Sequence, residues 1–199
     1  MLKALIFDFD GVIGDTYDLN YTLSRLFDPG ISKQYFEDHH NGNVWAEPKI
    51  KITPEEVKIL FQKQRELFTK DHLFPMRALL ETFSKDHQIF IVSSSLEENI
   101  EYVLGLWGYD VFINRILWVD THRSKVEKFK IIFESYGLKS EECVFITDTI
   151  GDIKEWRHFS LTTIAVTWWY HPRELLESEH PYALADTIDE LWEIIEKLC

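Results

Sequence analysis

Short apolar runs recur at Leu2–Asp8, Gln88–Ser93, Arg115–Val119, Cys143–Thr147 and Leu161–Thr167, each bounded by turn residues, and each predicts a strand. Helical patterns lie between most of them. This alternation predicts an α/β protein, a Rossmann-like parallel sheet with helices on both faces. The stretch from Asp15 to about Lys85 is far longer than one crossover and holds no convincing strand. It predicts a helical insertion over 15–84, with 1–14 and 85–199 forming the sheet domain.

Within the insertion, Thr53-Pro54-Glu55-Glu56 marks a helix start: Thr53 can cap, Pro54 takes the first helical position and Glu56 completes a capping box. Val57, Leu60, Phe61, Leu67 and Phe68 then follow one face, with Gln64 its polar exception. A further helix is expected from Asp15 to Phe27, and Pro75–Ser84 leads back to the sheet. Asp28–Ile52 is loop-rich, with no assignable element. There is no internal repeat and no low-complexity tract.

Composition narrows the partners. The 199 residues are 45% hydrophobic, enough for a packed interior, and the formal charge is -13 with dispersed lysines. That balance disfavours nucleic acid and anionic membranes. A small anionic substrate would have to be captured by local positive groups. The two cysteines, Cys143 and Cys199, give neither a disulfide framework nor zinc-ligand spacing, and fit a reducing cytoplasm. No signal-peptide pattern follows Met1, and no apolar run approaches the roughly eighteen residues of a membrane span. The oligomeric state is left open.

Candidate chemistry starts in LKALIFDFDGVIGDT, where a strand delivers Asp8 and Asp10 into a turn at Gly11. Carboxylates at the carboxyl end of such a strand sit where open α/β sheets hold ligands, although Asp-Gly is also an ordinary turn. Ser93 and Ser94 precede a capping box at Ser95–Glu98; free N–H groups and a hydroxyl there suit a phosphate oxygen, or merely cap the helix. A third box, Ser124–Glu127, places Lys125 at a first helical position, ahead of a face formed by Val126, Phe129, Phe133 and Tyr136. A cation there costs about 0.3–1 kcal/mol unless an anion lies alongside. Lys128, one turn later, is the rival. Finally, CVFITDTIGDI delivers Asp148, with Asp152 four residues on, where it could also complete a box with Thr149. Asp8, Asp10 and Asp148 could share one pocket only with shifted pKa values or a bound metal. Oxygen ligands alone indicate a hard cation such as Mg²⁺. His39-His40 and the other histidines show no metal-ligand spacing.

These segments, in this order, resemble the haloacid dehalogenase superfamily of Mg²⁺-dependent phosphatases, specifically phosphoglycolate phosphatase-like members with a helical cap inserted after the first motif. By position, the resemblance implies that Asp8 is the nucleophile, forming an aspartyl-phosphate, and that Asp10 is the general acid and base. Ser93 and Lys125, with Gly11 and Ser94, would hold the phosphoryl group. Mg²⁺ would bind Asp8, the Asp10 backbone carbonyl and Asp148, with Asp152 direct or one layer out. Asp10 argues against dehalogenation, since a leaving halide needs no proton.

Thr147 stands where the phosphatases usually have Gly, no Pro follows Lys125, and Met76 follows Pro75 where Gly is frequent. Asp15 and Thr16 fall at the expected hinge. Tyr17, Asn20, Arg25, Tyr35, Trp45 and Arg77 are cap residues able to reach a substrate, although cap core or solvated surface is the commoner role for most of them; Trp168-Trp169-Tyr170-His171 could line the entrance, where aromatic packing is the commoner role. The expected reaction is hydrolysis of a small phosphorylated metabolite. A phosphomutase, kept open by the DGVIGDT segment, and a non-catalytic regulatory protein are the alternatives.

Overall fold

The computed structural model describes residues 1–41, 53–95 and 97–199. Its elements are β1 (Ala4–Phe7), α1 (Tyr17–Phe27), α2 (Lys33–Asp38), α3 (Pro54–Leu67), α4 (Arg77–Phe83), β2 (Gln88–Val92), α5 (Glu97–Leu106), β3 (Arg115–Leu117), α6 (Lys125–Tyr136), β4 (Cys143–Thr147), α7 (Ile150–Trp156), β5 (Thr162–Val166), α8 (Arg173–Ser178), β6 (Ala183–Ala185) and α9 (Ile188–Leu198). Among the described residues the strands form one six-stranded parallel sheet in the order β3-β2-β1-β4-β5-β6. The winding direction reverses between β1 and β4. A crevice opens at such a reversal, outside the carboxyl ends of the strands.

Side chains alternate between two buried layers. Leu5, Phe7, Ile89, Ile91, Val144, Ile146 and Ile164 join Leu80 of α4, Val103 of α5 and Leu191 of α9. Ala4, Ile6, Phe90, Val92 and Phe145 face the other way, under Phe129 and Ile132 of α6 and Trp156 of α7. Burial on both faces is why these strands read as continuous apolar runs rather than alternating ones. The expected α/β class is therefore the observed one. Several strands are a residue or two shorter than expected, and β6, at three residues, is too short to show a period.

Between β1 and β2 the capping box at Thr53 forms as expected: the Thr53 N–H donates to Glu56 Oε2 at 2.7 Å and the Glu56 N–H to Thr53 Oγ1 at 3.2 Å. The face of α3 is narrower than its sequence implies, because Leu67 is 52% exposed while the polar Gln64 is only 4% exposed. α1 starts at Tyr17 rather than Asp15. In the stretch expected to be loop, α2 forms where Ser32 caps it, accepting the Tyr35 N–H at 3.1 Å. Six residues cannot display a helical period. The stretch leading back to the sheet is helical: α4 packs Leu79, Leu80 and Phe83 against the sheet. Trp45, Leu96 and the side chain of Phe61 lie outside the described residues.

Candidate active site

The Asp8 N–H donates to the Ile146 carbonyl at 2.9 Å, so the ladder between β1 and β4 runs one residue beyond β1 and holds the backbone of Asp8 at the crevice. Gly11 follows with φ of +80°, and a Cβ there would run into the Trp169 ring and the Asp148 carboxylate. Only glycine lets the β1 turn approach β4 so closely.

α6 buries Lys125, Lys128, Phe129 and Ile132, not the expected stripe of Val126, Phe129, Phe133 and Tyr136. Two lysines one turn apart thus point inward, and their partners distinguish them. The Lys125 Nζ donates to Asp8 Oδ2 at 2.7 Å and to Asp152 Oδ2 at 2.6 Å. The Lys128 Nζ donates to the Ser93 carbonyl at 2.6 Å. Lys125, not Lys128, is the lysine among the carboxylates.

Charge is crowded here. Burial pushes the Asp8 carboxyl up to about 7, outweighing the opposing pull of Lys125. Burial lowers the Lys125 ammonium, but Asp152 and Asp8 together overcome it and raise the group above its ordinary value. Burial, followed by repulsion from Lys125, brings Lys128 down to about 7. Asp148 is fully buried, and burial, then Asp8 and Asp152, raise its carboxyl well above the usual range.

Asp152 has two further ties. Its N–H donates to the capping Thr149 Oγ1 at 3.4 Å, while its carboxylate accepts from Thr147 Oγ1 at 2.7 Å. The expected box with Thr149 is therefore half formed, because the Asp152 side chain turns to Thr147 and Lys125.

Asp10 meets neutral donors. Thr16 Oγ1 and Ser95 Oγ each donate to it at 2.6 Å, and Asn20 Nδ2 reaches it at 3.3 Å. Ser93 Oγ lies 3.5 Å from the same carboxylate and accepts the Ser95 N–H at 2.9 Å, while the Ser93 N–H donates to the Leu117 carbonyl at 2.9 Å. The N–H groups of Ser93 and Ser95 are thus already paired, contrary to the expected open cradle. The box expected at Ser95–Glu98 involves side chains outside the described residues. The box expected at Ser124 does not form: its hydroxyl makes no cap bond, and its N–H donates to His122 Nδ1 at 3.0 Å.

The segment after β5 roofs the crevice. Trp169 Nε1 donates to Asp15 Oδ1 at 2.7 Å, and Tyr17 packs edge-on against Phe36, Trp169 and Tyr170. Tyr17 also donates to Glu37 Oε1 at 2.7 Å. Arg77 donates to the carbonyls of Trp107 and Gly108, and Arg25 lies over the Tyr21 ring, so both have structural partners. Tyr35 is 42% exposed. Among the described residues of that set, Asn20 reaches a site carboxylate.

Among the described residues no three His, Cys, Asp or Glu side chains stand close enough to grip one metal ion. The Lys125 ammonium takes up the negative charge of Asp8 and Asp152 instead. Asp148 nonetheless fits a cation: both its carboxylate oxygens are buried without a hydrogen-bond donor, an arrangement costly for a carboxylate unless a proton or a metal ion joins it. A donor set made of oxygens suits a hard divalent ion such as Mg²⁺.

Sequence reading missed the donors Thr16 and Ser95 to Asp10, and Thr147 to Asp152. Thr147 carried a signal, as a polar residue in place of glycine. Thr16 and Ser95 carried none beyond their positions at a turn and a helix start.

The sheet is doubly wound, aspartates follow β1 and β4, and Lys125 joins Asp8 to Asp152. Residues 5–166 fit the model of haloacid dehalogenase-like hydrolases, and the chain belongs to that family. It is similar to a phosphoglycolate phosphatase of Synechococcus elongatus, 23% identical over 209 residues that cover 99% of each chain. It is also similar to a pyrophosphatase PpaX of Oceanobacillus iheyensis, 23% identical over 211 residues covering 98% of this chain and 97% of the other. The fold is shared with a β-phosphoglucomutase of Clostridium difficile, with TM-score 0.76 and 20% identity over 100% of this chain and 97% of that one. Among the described residues no helix is long and apolar enough to cross a membrane.

Proposed function

We propose that the protein is a Mg²⁺-dependent phosphatase acting on a small phosphate monoester in the cytoplasm, with Asp8 as nucleophile and Asp10 as general acid and base. The observation that carries this reading is the contrast between two aspartates on one turn: Asp8 pairs with Lys125, while Asp10 accepts from Thr16, Asn20 and Ser95. Two carboxyl groups in unlike surroundings can take unlike roles.

A carboxylate oxygen of Asp8 attacks phosphorus in line, the bond to the leaving oxygen breaks, and Asp10 gives that oxygen its proton. Water then attacks the aspartyl-phosphate, Asp10 takes the water's proton, and inorganic phosphate departs with Asp8 restored. Lys125 turns from Asp152 toward the phosphoryl oxygens and offsets charge as it develops. Gly11, Ser93 and Ser94 line the phosphoryl pocket. Asp8, the Asp10 carbonyl and Asp148 would hold Mg²⁺, with Asp152 direct or one layer out. When bound, the ion supplies positive charge against the carboxylates and the phosphoryl group.

α1, α2 and α3 serve as a cap, over about 15–84, which excludes water and carries substrate contacts, with Trp169 and Tyr170 meeting it from the sheet domain. The test is phosphate release from phosphoglycolate, pyrophosphate and sugar phosphates, with Mg²⁺ and with chelator. Mg²⁺-dependent release supports the reading. Isomerised sugar phosphate without release would make the protein a phosphomutase, and no turnover of any ester would leave a regulatory protein.

A further inference from the structure

Gln64 lies on the buried face of α3 at 4% exposure. A buried amide needs partners, and those of Gln64 form a line. Asn99 Nδ2, on α5, donates to Gln64 Oε1 at 2.9 Å. Gln64 Nε2 donates to Asn20 Oδ1 at 2.7 Å, and Asn20 Nδ2 donates to Asp10 Oδ1 at 3.3 Å. Each of Gln64 and Asn20 accepts on oxygen and donates from nitrogen in the same sense, so the amide dipoles add head to tail and end on a carboxylate. Such chains polarise one another in a low-dielectric interior.

The line also crosses between parts of the fold. It starts on α5, beside the sheet, passes through α3 and α1 of the insertion, and returns to the β1 turn. Thr16 and Ser95 hold Asp10 as well, but one belongs to the β1–α1 connection and the other precedes α5, so neither registers where α3 sits.

We propose that Gln64 is a positioning residue that reports the seating of α3 on α5 to Asp10 through Asn20. The Asp10 carboxylate is then oriented for proton transfer when the inserted helices are docked and loosened when they part. This rests on the reading of Asp10 as acid and base.

The experiment compares the intact protein with Gln64→Met, Asn99→Ala and the double variant, on an aryl phosphate and on an alkyl phosphate with a poor leaving group. The alkyl ester should lose about ten-fold in kcat in each single variant, a part of what general acid catalysis supplies, with KM within about two-fold and a smaller loss on the aryl ester. The double variant should fall no further than either single, because one broken link opens the whole line. Equal losses on the two esters, or additive losses, overturn the proposal.

A second readout needs no turnover. In Asn99→Ala the side-chain amide NMR signal of Asn20 should shift, although Gln64 stands between the two. An unmoved Asn20 signal overturns the relay whatever the activity. An inactive wild-type protein in which that signal does move sinks the hydrolase reading and leaves the relay standing.

Discussion

Lys125 donates to Asp8 Oδ2 at 2.7 Å, with each side chain only 8% exposed, so a buried ammonium stands against the proposed nucleophile. Removing one partner of such a pair leaves a buried charge uncompensated. Lys125→Met should therefore lower kcat about 10²–10³-fold, the usual loss when one donor to a developing oxyanion is deleted. Lys125→Arg should not restore it, because a planar fork cannot replace a compact ammonium shared by Asp8 and Asp152. Steady-state rates with matched urea unfolding check both variants. Full activity in Lys125→Arg would contradict the placement.

The same crowding sets a pH dependence. Asp8, raised to about 7, and Asp148, raised well above its ordinary value, hold protons in the folded metal-free protein that the unfolded chain releases near pH 4. The native state then binds more protons, so these groups make stability fall as pH rises from about 5 to about 7. Lys128, lowered to about 7, acts oppositely, adding stability as pH rises above that value because the unfolded chain keeps its proton longer. The metal-free melting temperature should thus decline between about pH 5 and 7. Mg²⁺ should flatten the decline by replacing protons on Asp8 and Asp148. A Mg²⁺-independent melting profile would count against a cation at Asp148.

The two aspartates should separate kinetically. Asp8→Asn keeps shape but removes the proposed nucleophile, and should abolish turnover of every ester while leaving the fold intact. Asp10→Asn should cost about 10²–10⁴-fold with an alkyl leaving group and clearly less with an activated aryl group, which departs without a proton. Phosphate release across a leaving-group series reads the difference. Parallel losses would remove Asp10 from proton transfer.

Much of the site was legible because its parts are local. Asp8, Asp10 and Asp148 follow buried strands within three residues, and a parallel sheet brings adjacent strand ends together whatever the loops do. Lys125 was legible only as an oddity, a cation at a helix start. What explains it, the carboxylates of Asp8 and Asp152, lies 117 and 27 residues away in sequence. The donors to Asp10 were harder, since Thr16, Asn20 and Ser95 come from the β1–α1 connection, from α1 and from just after β2, with no sequence period to join them. Gln64 was visible as a polar break in an apolar stripe. Its meaning needed Asn99, 35 residues on, and no period links them. α2 and β6 were missed for a simpler reason: elements of six and three residues carry too few positions for any periodicity.

Thr147 has a specific task at the end of β4. Its hydroxyl donates to Asp152 Oδ2 at 2.7 Å and accepts the Thr149 N–H at 3.3 Å, so it links the end of β4 to the start of α7. Thr147→Val keeps the shape and removes both bonds, leaving Asp152 with Lys125 as its remaining side-chain donor. A buried carboxylate and an N–H that each lose a partner should cost about 1–3 kcal/mol, read as a lower urea midpoint at unchanged slope. Thr147→Ser retains the hydroxyl and should recover most of that loss. Equal stability of the Val and Ser variants would mean that packing, not the hydroxyl, holds Asp152 in place.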